Sequence, residues 1–236
     1  MPRQGIVGRW LGREKPIDPS CDLYAEDRER MVEVQLKRRG ISNPHVLEAM
    51  GTIPRECFVP DALKGHAYDD RPLEIGHGQT ISQPFMVALM TQLLAIQPGD
   101  SVLEVGTGSG YQCAVLANIA ARVVSVERVP ELATRSCALL DSLGYTNVAV
   151  HIGDGTLGWV EAAPYDAIVV TAAGPRVPAM LCEQLREGGR LVCPVGARES
   201  QELFRVTRHE GVFREERGTG CVFVPLIGAD GWNGEA

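Results

Sequence analysis

Short apolar runs alternate with longer segments of helical period between residues 101 and 196. The runs predict strands at 101–105, 122–127, 147–151, 165–171 and 188–196. The segments between them predict helices at 111–120, 130–143 and 177–185. The fourth run is almost wholly apolar, which is typical of a strand covered on both faces. Because strands that alternate with helices form a parallel sheet, the pattern predicts a three-layer, doubly wound, mostly parallel α/β fold of the Rossmann-like type.

The chain on either side of this region has a different pattern. It predicts helices at 24–39 and 45–50, a proline-bracketed extended stretch at 53–60, a polar loop at 76–84 and a helix running on to Leu94. We expect one domain, 28–228, in which a helical lid and substrate loop (28–96) precede a cofactor-binding sheet (97–228). Two further strands are predicted at 202–209 and 221–226, where they would form an antiparallel edge. Residues 1–27 are predicted to form a flexible N-terminal tail, and residues 229–236 a C-terminal tail.

Composition narrows the class of protein further. A chain of 236 residues with 44% hydrophobic content suits one large α/β domain. The net charge of −7 argues against a general nucleic-acid binder. Seven cysteines lie scattered without a C-x-x-C pair, and the five histidines lack metal-ligand spacing, so we expect reduced thiols, no metal and a cytoplasmic protein. No stretch is apolar and long enough to span a membrane, and the basic N-terminus lacks the apolar core of a signal peptide.

A glycine-rich turn follows the first strand of the predicted sheet. Glycines stand at positions 106, 108 and 110, directly before the helical segment that starts at Tyr111. Glycine permits positive φ and lets a ligand approach the backbone, and the helix start offers unpaired N–H groups. The spacing G-x-G-x-G differs from the dinucleotide fingerprint G-x-G-x-x-G, and no Gly-Lys-Ser/Thr of a P-loop follows. With Glu104 two residues earlier, the turn predicts a site for a nucleoside-type ligand.

Acidic residues end the neighbouring strands. Glu127 closes the second strand, a position that hydrogen-bonds ribose hydroxyls in doubly wound folds, although an exposed strand-end charge is the plain alternative. Asp154 stands between two glycines after the third strand, where its carboxylate could accept from the amine of adenine or simply form an Asp-Gly turn. Glu104, Gly106, Glu127 and Asp154 would all lie at carboxyl ends of consecutive strands, where ligands bind in open α/β sheets.

The polar loop at 76–84 contains two glycines, several hydroxyl or amide side chains and a closing proline. Ser82 stands where a helix N-cap would be, with Pro84 in the first turn, so Ser82 and Thr80 could merely cap the helix that follows. A capping loop rarely needs so many polar side chains in a row. The alternative is a functional loop carried on rigid elements.

Two of these stretches together resemble one enzyme family. The sequence Leu-Glu-Val-Gly-Thr-Gly-Ser-Gly-Tyr at 103–111 resembles motif one of the class I S-adenosylmethionine methyltransferases. Combined with Gly-Gln-Thr-Ile-Ser-Gln-Pro at 78–84, it is similar to the protein-L-isoaspartate O-methyltransferases. The stretches Arg-Glu-Cys-Phe-Val-Pro at 55–60, Tyr-Asp-Asp at 68–70 with Leu73, and Gly-Gly-Arg-Leu-Val at 188–192 fit the same family. The resemblance runs from about residue 28 to 228; motif one is shared widely, whereas the loop at 79–84 is specific.

The resemblance implies a reaction and a set of site residues. Such enzymes transfer a methyl group from S-adenosyl-L-methionine to the free α-carboxylate of an L-isoaspartyl residue, leaving S-adenosyl-L-homocysteine. The ester then closes to a succinimide, part of which hydrolyses to normal aspartate, so damaged proteins and peptides are repaired. By this resemblance Ser82 is the active-site residue. The implied cofactor-binding residues are Thr80, Glu104, Gly106, Thr107, Gly108, Gly110, Glu127 (ribose) and Asp154 (adenine).

Other functions remain open at this stage. A nucleic-acid base methyltransferase would carry Asn/Asp-Pro-Pro-aromatic after the fourth strand, where this chain has Thr-Ala-Ala-Gly at 171–174. A closer alternative keeps the carboxylate chemistry but methylates aspartate side chains of one dedicated peptide. A third is a cofactor-binding module without turnover. The expected partners are isoaspartyl proteins, with no nucleic acid or membrane, and the chain is expected to be a monomer.

Overall fold

The computed structural model describes residues 23–233; the predictions for 1–22 and 234–236 lie outside the described residues. The α-helices are α1 Ala25–Arg30, α2 Pro44–Thr52, α3 Pro84–Leu94, α4 Tyr111–Ile119, α5 Pro130–Ser142 and α6 Ala179–Glu183. The strands are β1 Leu73–Gly76, β2 Gln79–Ile81, β3 Ser101–Val105, β4 Arg122–Glu127, β5 Val148–Ile152, β6 Tyr165–Val170, β7 Leu185–Ala197, β8 Ser200–His209 and β9 Val212–Cys221.

The predicted fold class is confirmed. Strands β3 to β9 form one sheet in the order β5-β4-β3-β6-β7-β8-β9. The neighbours from β5 to β7 pair in parallel, whereas β8 and β9 add an antiparallel edge. Every residue of β3 and β6 is buried, as expected for central strands with helices on both faces. Two apolar clusters fill the layers on the two sides of the sheet.

The direction of the chain reverses at the centre of this sheet. From β3 the chain runs outward through β4 to β5, then returns to β6 on the other side of β3. The loops after β3 and β6 therefore leave in opposite directions and open a crevice between them. Ligands of open α/β sheets bind in such a crevice, at the carboxyl ends of the strands.

The N-terminal region is one continuous helical run. α1 leads into a π-helical segment, Met31–Leu36, and a 3-10 turn, Lys37–Arg39, which stops at Gly40 with φ +92°. Glycine suits this left-handed position at the end of a helical run. Residues 25–27, assigned to a tail from the sequence, form the start of α1.

Two predicted elements are wrong. The stretch 53–60 is not extended throughout, since Arg55–Phe58 forms a 3-10 turn. A proline restricts only the residue before it, and Ile53 and Val59, which precede the two prolines, are indeed extended. The edge strand lies at Val212–Cys221 and not at 221–226. It begins earlier because a tight turn with positive φ at Glu210 and Gly211 starts the pairing with β8, and its exposed residues carry no apolar pattern.

The C-terminal segment also differs from its prediction. Trp232 donates its indole N–H to the carbonyl of Ala173, and Asp230 accepts hydrogen bonds from the Arg176 guanidinium and the Ala179 N–H. Residues 229–232 are therefore packed against the loop after β6 and the start of α6, and are not a free tail. Over residues 23–233, no helix has the length and apolar character needed to cross a membrane.

Candidate active site

A cavity lies in the crevice where the chain reverses. The hairpin β1–β2 and the start of α3 form one side, and the turn after β3 together with the end of β4 forms the other. Its lining residues are Gln79, Thr80, Ile81, Ser82, Val87, Gly106, Thr107, Gly108, Ser109, Tyr111, Gln112, Glu127, Thr171, Ala172 and Val224. The structure therefore brings the predicted residues Thr80, Ser82, Gly106, Thr107, Gly108 and Glu127 to one cavity.

The glycine turn has the conformation that its sequence predicts. Gly106, Gly108 and Gly110 have φ of +96°, +52° and +87°, where other residues are strained. The Gly106 N–H donates to the carbonyl of Val126 at 2.8 Å. A Cβ on Gly106 would lie 2.4 Å from Oγ1 of Thr171, so the loop after β6 packs directly on this glycine. The turn is thus held from both neighbouring strands.

Glu127 is buried and anchored at the end of β4. Its Oε2 accepts from the Gly108 N–H and its Oε1 from the Val129 N–H, both at 2.9 Å. The residue is only 6% exposed, so the alternative of an exposed strand-end charge is wrong. Each carboxylate oxygen keeps a further lone pair. A fixed carboxylate of this kind can accept hydrogen bonds from two vicinal hydroxyls.

Ser82 and Thr80 do not cap α3. The N-cap residue is Gln83, whose side chain makes no capping bond, and its carbonyl accepts from the N–H groups of Met86 and Val87. Thr80 pairs with Glu74 across the hairpin. The capping interpretation is therefore wrong, and both hydroxyl side chains belong to the lining of the cavity.

Glu104 lies behind the cavity and not in its lining. It is fully buried, and its carboxyl accepts from the Ser125 hydroxyl, which in turn shares a 2.6 Å hydrogen bond with Thr107. Burial raises the pKa of Glu104 to about 8, only partly offset by hydrogen bonds from Ser125 and Cys113. The group is thus mostly a neutral acid at pH 7, and it supports Thr107 through Ser125.

We expect Glu104→Gln to fold and bind S-adenosyl-L-homocysteine within about threefold of wild type, because an amide replaces a carboxyl that is already neutral. The raised pKa means that native Glu104 holds a proton that the unfolded chain loses above about pH 4.5. Wild type should therefore lose stability relative to the variant as pH rises toward 8, by up to about 1.4 kcal/mol per pH unit. Urea unfolding at pH 5.5 and 7.5 measures this, with Glu131→Gln, an exposed carboxyl, as the control. A stability difference between wild type and Glu104→Gln that does not change with pH would contradict a neutral Glu104 carboxyl.

Two other predicted residues also lie outside the lining. The Asp154 carboxylate accepts from the N–H and hydroxyl of Thr156 and from the Ala229 N–H, so it ties the C-terminal segment to the end of β5. A Cβ on Gly110 would approach Cβ of Ser136 to 3.2 Å, which places this glycine against α5. The adenine contact of Asp154 and the cofactor contact of Gly110 stay predictions.

Several lining residues were missed from the sequence. Thr171 and Ala172 follow β6, and no sequence motif assigned either of them to the site. The Thr171 hydroxyl donates to the carbonyls of Val105 and Gly106, at 3.0 and 2.7 Å, and so closes the crevice at its base. The sequence did not point to Val224, because its segment is held at the cavity by a tertiary contact. The Ala173 N–H donates to the Val224 carbonyl. Between residues 23 and 233, no cluster of three or more His, Cys, Asp or Glu side chains could hold a metal ion.

The fold and the cavity define a class I, Rossmann-like methyltransferase. The sequence model of the protein-L-isoaspartate(D-aspartate) O-methyltransferases matches residues 26–231. Curated relatives called protein-L-isoaspartate O-methyltransferase include one from Syntrophus aciditrophicus, 53% identical over 90% of this chain and 99% of its own. Another, from Methanoculleus marisnigri, is 56% identical over 91% and 98%. The chain belongs to the protein-L-isoaspartate(D-aspartate) O-methyltransferase family.

Solved structures agree with this assignment. A protein-L-isoaspartate O-methyltransferase superposes with a TM-score of 0.77 at 31% identity, covering 86% of this chain and 67% of that one. A second structure, from Plasmodium falciparum, is a putative member of the same family in complex with S-adenosyl-L-homocysteine. It superposes with a TM-score of 0.74 at 28% identity, covering 85% of this chain and 98% of its own.

Proposed function

We propose that this chain is a protein repair methyltransferase. It moves a methyl group from S-adenosyl-L-methionine to the free α-carboxylate of L-isoaspartyl residues in damaged proteins and peptides. The observation that carries the proposal is the meeting of Ser82, from the family-specific loop, with the glycine turn and Glu127 in one cavity. The ester formed then closes to a succinimide that hydrolyses in part to aspartate.

The residues present fit the cofactor. Glu127 offers anchored carboxylate oxygens for ribose hydroxyls, and Gly106 and Gly108 let a ligand approach the backbone without a side chain in the way. When bound, S-adenosyl-L-methionine supplies a methyl group activated by a positively charged sulfur. Thr80 and Thr107 line the same cavity and are assigned to the cofactor side. Glu104, expected from the sequence to bind the cofactor, supports Thr107 through Ser125 from behind the cavity.

The substrate carboxylate that accepts the methyl group must be oriented, but it does not need to be activated. A carboxylate is already a nucleophile at neutral pH, so the chain has no proton to remove, and alignment of the attacking oxygen is a proximity effect. Ser82 is half-buried in the cavity wall, and its hydroxyl makes no hydrogen bond to the rest of residues 23–233. It is free to donate to one carboxylate oxygen and leave the other to attack.

Paired peptides test the proposed function directly. The protein is incubated with S-adenosyl-L-methionine and two synthetic peptides that differ only in L-isoaspartate or normal L-aspartate at one position. Methyl ester on the isoaspartyl peptide alone supports repair. Ester on both peptides equally, or on neither, would overturn the proposal and favour a dedicated peptide substrate or a binding module.

Ser82→Ala should lower kcat on the isoaspartyl peptide by about tenfold to 10²-fold, because it removes one hydrogen bond of roughly 1–3 kcal/mol from the aligned acceptor. Affinity for S-adenosyl-L-homocysteine should stay within about threefold. Initial rates and calorimetric titration provide the two readouts. Ser142→Ala, which removes an exposed hydroxyl on α5, is the matched control. Unchanged kinetics in Ser82→Ala would remove Ser82 from the reaction.

The proposal extends to partners and location. We assign isoaspartyl proteins and peptides as the partners, without nucleic acid or a membrane, and a monomer working in the cytoplasm. The net charge of −7 and the free thiols of the six cysteines within residues 23–233 support this assignment. Size-exclusion chromatography with light scattering tests the monomer.

A further inference from the structure

A buried arginine lies directly behind the acceptor side of the cavity. Arg55 is 0% exposed, and its guanidinium donates to the carbonyl of Ala67 at 2.6 Å and to the carbonyl of Ser82 at 2.7 Å. Its Cζ lies 4.7 Å from the ring centre of Tyr111, another lining residue. Arg55 therefore touches two parts of the cavity wall from the protein side.

The charge of Arg55 has no counter-ion. No carboxylate among residues 23–233 lies within ion-pair distance of its guanidinium, and its Nη1 is buried without a hydrogen-bond partner there. The nearby carboxylate of Glu56 accepts instead from the hydroxyl of Tyr68, which also receives a hydrogen bond from Arg28. The Glu56 carboxylate therefore does not neutralise the guanidinium of Arg55.

A buried charge without a counter-ion is costly. Burial lowers the pKa of Arg55, and the neighbouring Tyr111 and Tyr68 act in the opposite direction. A guanidinium nevertheless stays charged at neutral pH. The Tyr111 hydroxyl is likewise buried without a partner in the described chain. Arg55 and Tyr111 thus lie together behind the wall at Ser82, where an anion in the cavity would offset the positive charge of Arg55.

We propose that Arg55 is a positioning residue that holds Ser82 through its carbonyl and supplies the positive charge that attracts the substrate carboxylate to this side of the cavity. This inference rests on the proposed function and names the chemistry by which its acceptor is recognised. Arg55 has no exposed surface and acts through Ser82 and through its field, which is strong because little water screens it.

A thermodynamic cycle tests this role by removing the charge from the peptide carboxylate, from residue 55, or from both. One peptide carries L-isoaspartate, and a second carries its α-carboxamide, which has no charge at that position. Wild type and Arg55→Gln, each with S-adenosyl-L-homocysteine bound, are titrated with both peptides. We expect wild type to bind the carboxylate peptide about tenfold or more tightly than the carboxamide, and Arg55→Gln to distinguish them by less than about threefold.

Arg55→Lys separates charge from position. A lysine keeps the charge, but its ammonium does not have the fork that reaches both carbonyls. We expect peptide KM within about threefold of wild type and kcat about tenfold lower. Arg30→Gln, which removes an exposed charge from α1, should leave both constants unchanged. Affinity for S-adenosyl-L-homocysteine should stay within about threefold in every variant.

Three results would overturn the role of Arg55. They are equal wild-type affinity for the two peptides, an undiminished preference for the carboxylate in Arg55→Gln, and parallel losses of peptide and cofactor affinity. Equal affinity of wild type for the two peptides overturns the role of Arg55 even if an Arg55 variant does not fold. Turnover of the isoaspartyl peptide by wild type reports on the proposed function separately. Active wild type with an unaltered Arg55→Gln preference would overturn the arginine alone.

Discussion

Gly106→Ala should lower the free energy of unfolding by about 3–5 kcal/mol, a large part of the stability of an ordinary domain. Gly106 has φ +96°, a conformation that costs an L-residue about 1–2 kcal/mol. The added Cβ would also lie 2.4 Å from Oγ1 of Thr171. Thr171 would have to move and give up its hydrogen bonds to Val105 and Gly106, which close the base of the crevice. Urea denaturation measures the loss.

Two further variants separate the backbone strain at positive φ from the steric clash with Thr171. Gly40→Ala introduces a side chain at a similar φ of +92° with nothing within 4 Å, so it should cost only the strain. The double variant Gly106→Ala/Thr171→Ala removes Oγ1 and leaves no contact closer than the 3.7 Å to Cβ of residue 171. It should be more stable than the sum of the single changes predicts. Equal losses for Gly40→Ala and Gly106→Ala would show that the contact with Thr171 has no effect.

Glu127→Ala should weaken binding of S-adenosyl-L-homocysteine by about 10²-fold or more. Hydrogen bonds to a charged acceptor contribute about 1.5–3 kcal/mol each, and about 1.4 kcal/mol is tenfold in affinity. The variant also leaves the N–H groups of Gly108 and Val129 without their partner, so the glycine turn loses one of its links to β4. Isothermal titration calorimetry gives the dissociation constant, and thermal unfolding reports the loss of the link.

Two further carboxylate variants test whether the loss of affinity comes from the Glu127 carboxylate. Glu127→Gln keeps one acceptor oxygen and should lie between wild type and Glu127→Ala in affinity. Glu131→Ala removes a carboxylate from the exposed first turn of α5 and should bind normally. A Glu127→Ala variant that binds within threefold of wild type would show that the carboxylate only anchors the glycine turn and does not contact the cofactor.

Strand positions could be predicted where a short, mostly apolar segment is bounded by turn signals. β3 and β4 have the bounds read from the sequence, because each is a short, Val-rich segment with a turn signal on either side. The edge strand β9 was misplaced because its side chains are mostly exposed and follow no apolar pattern. The C-terminal segment was taken for a tail because its contacts, from Asp230 to Arg176 and from Trp232 to Ala173, join residues far apart in the chain.

The residues of the functional site could likewise be predicted only in part. Acidic residues at strand ends were predicted as one group, but they have three different surroundings. Glu127 lines the cavity, Glu104 is buried behind it, and Asp154 holds the C-terminal segment. Side chains alternate between the faces of a strand, and loops redirect those that follow it, so position at a strand end does not decide orientation. The three roles depend on neighbouring elements.

The sequence by itself determined the doubly wound fold, the glycine turn and the specific loop that contains Ser82, because local periodicity and backbone freedom are properties of short stretches. Only the tertiary structure decided that Ser82 faces the glycine turn, that Thr171 closes the crevice and that Arg55 lies behind Ser82. These contacts join separate elements. They form only when the elements pack, and no short-range pattern records them.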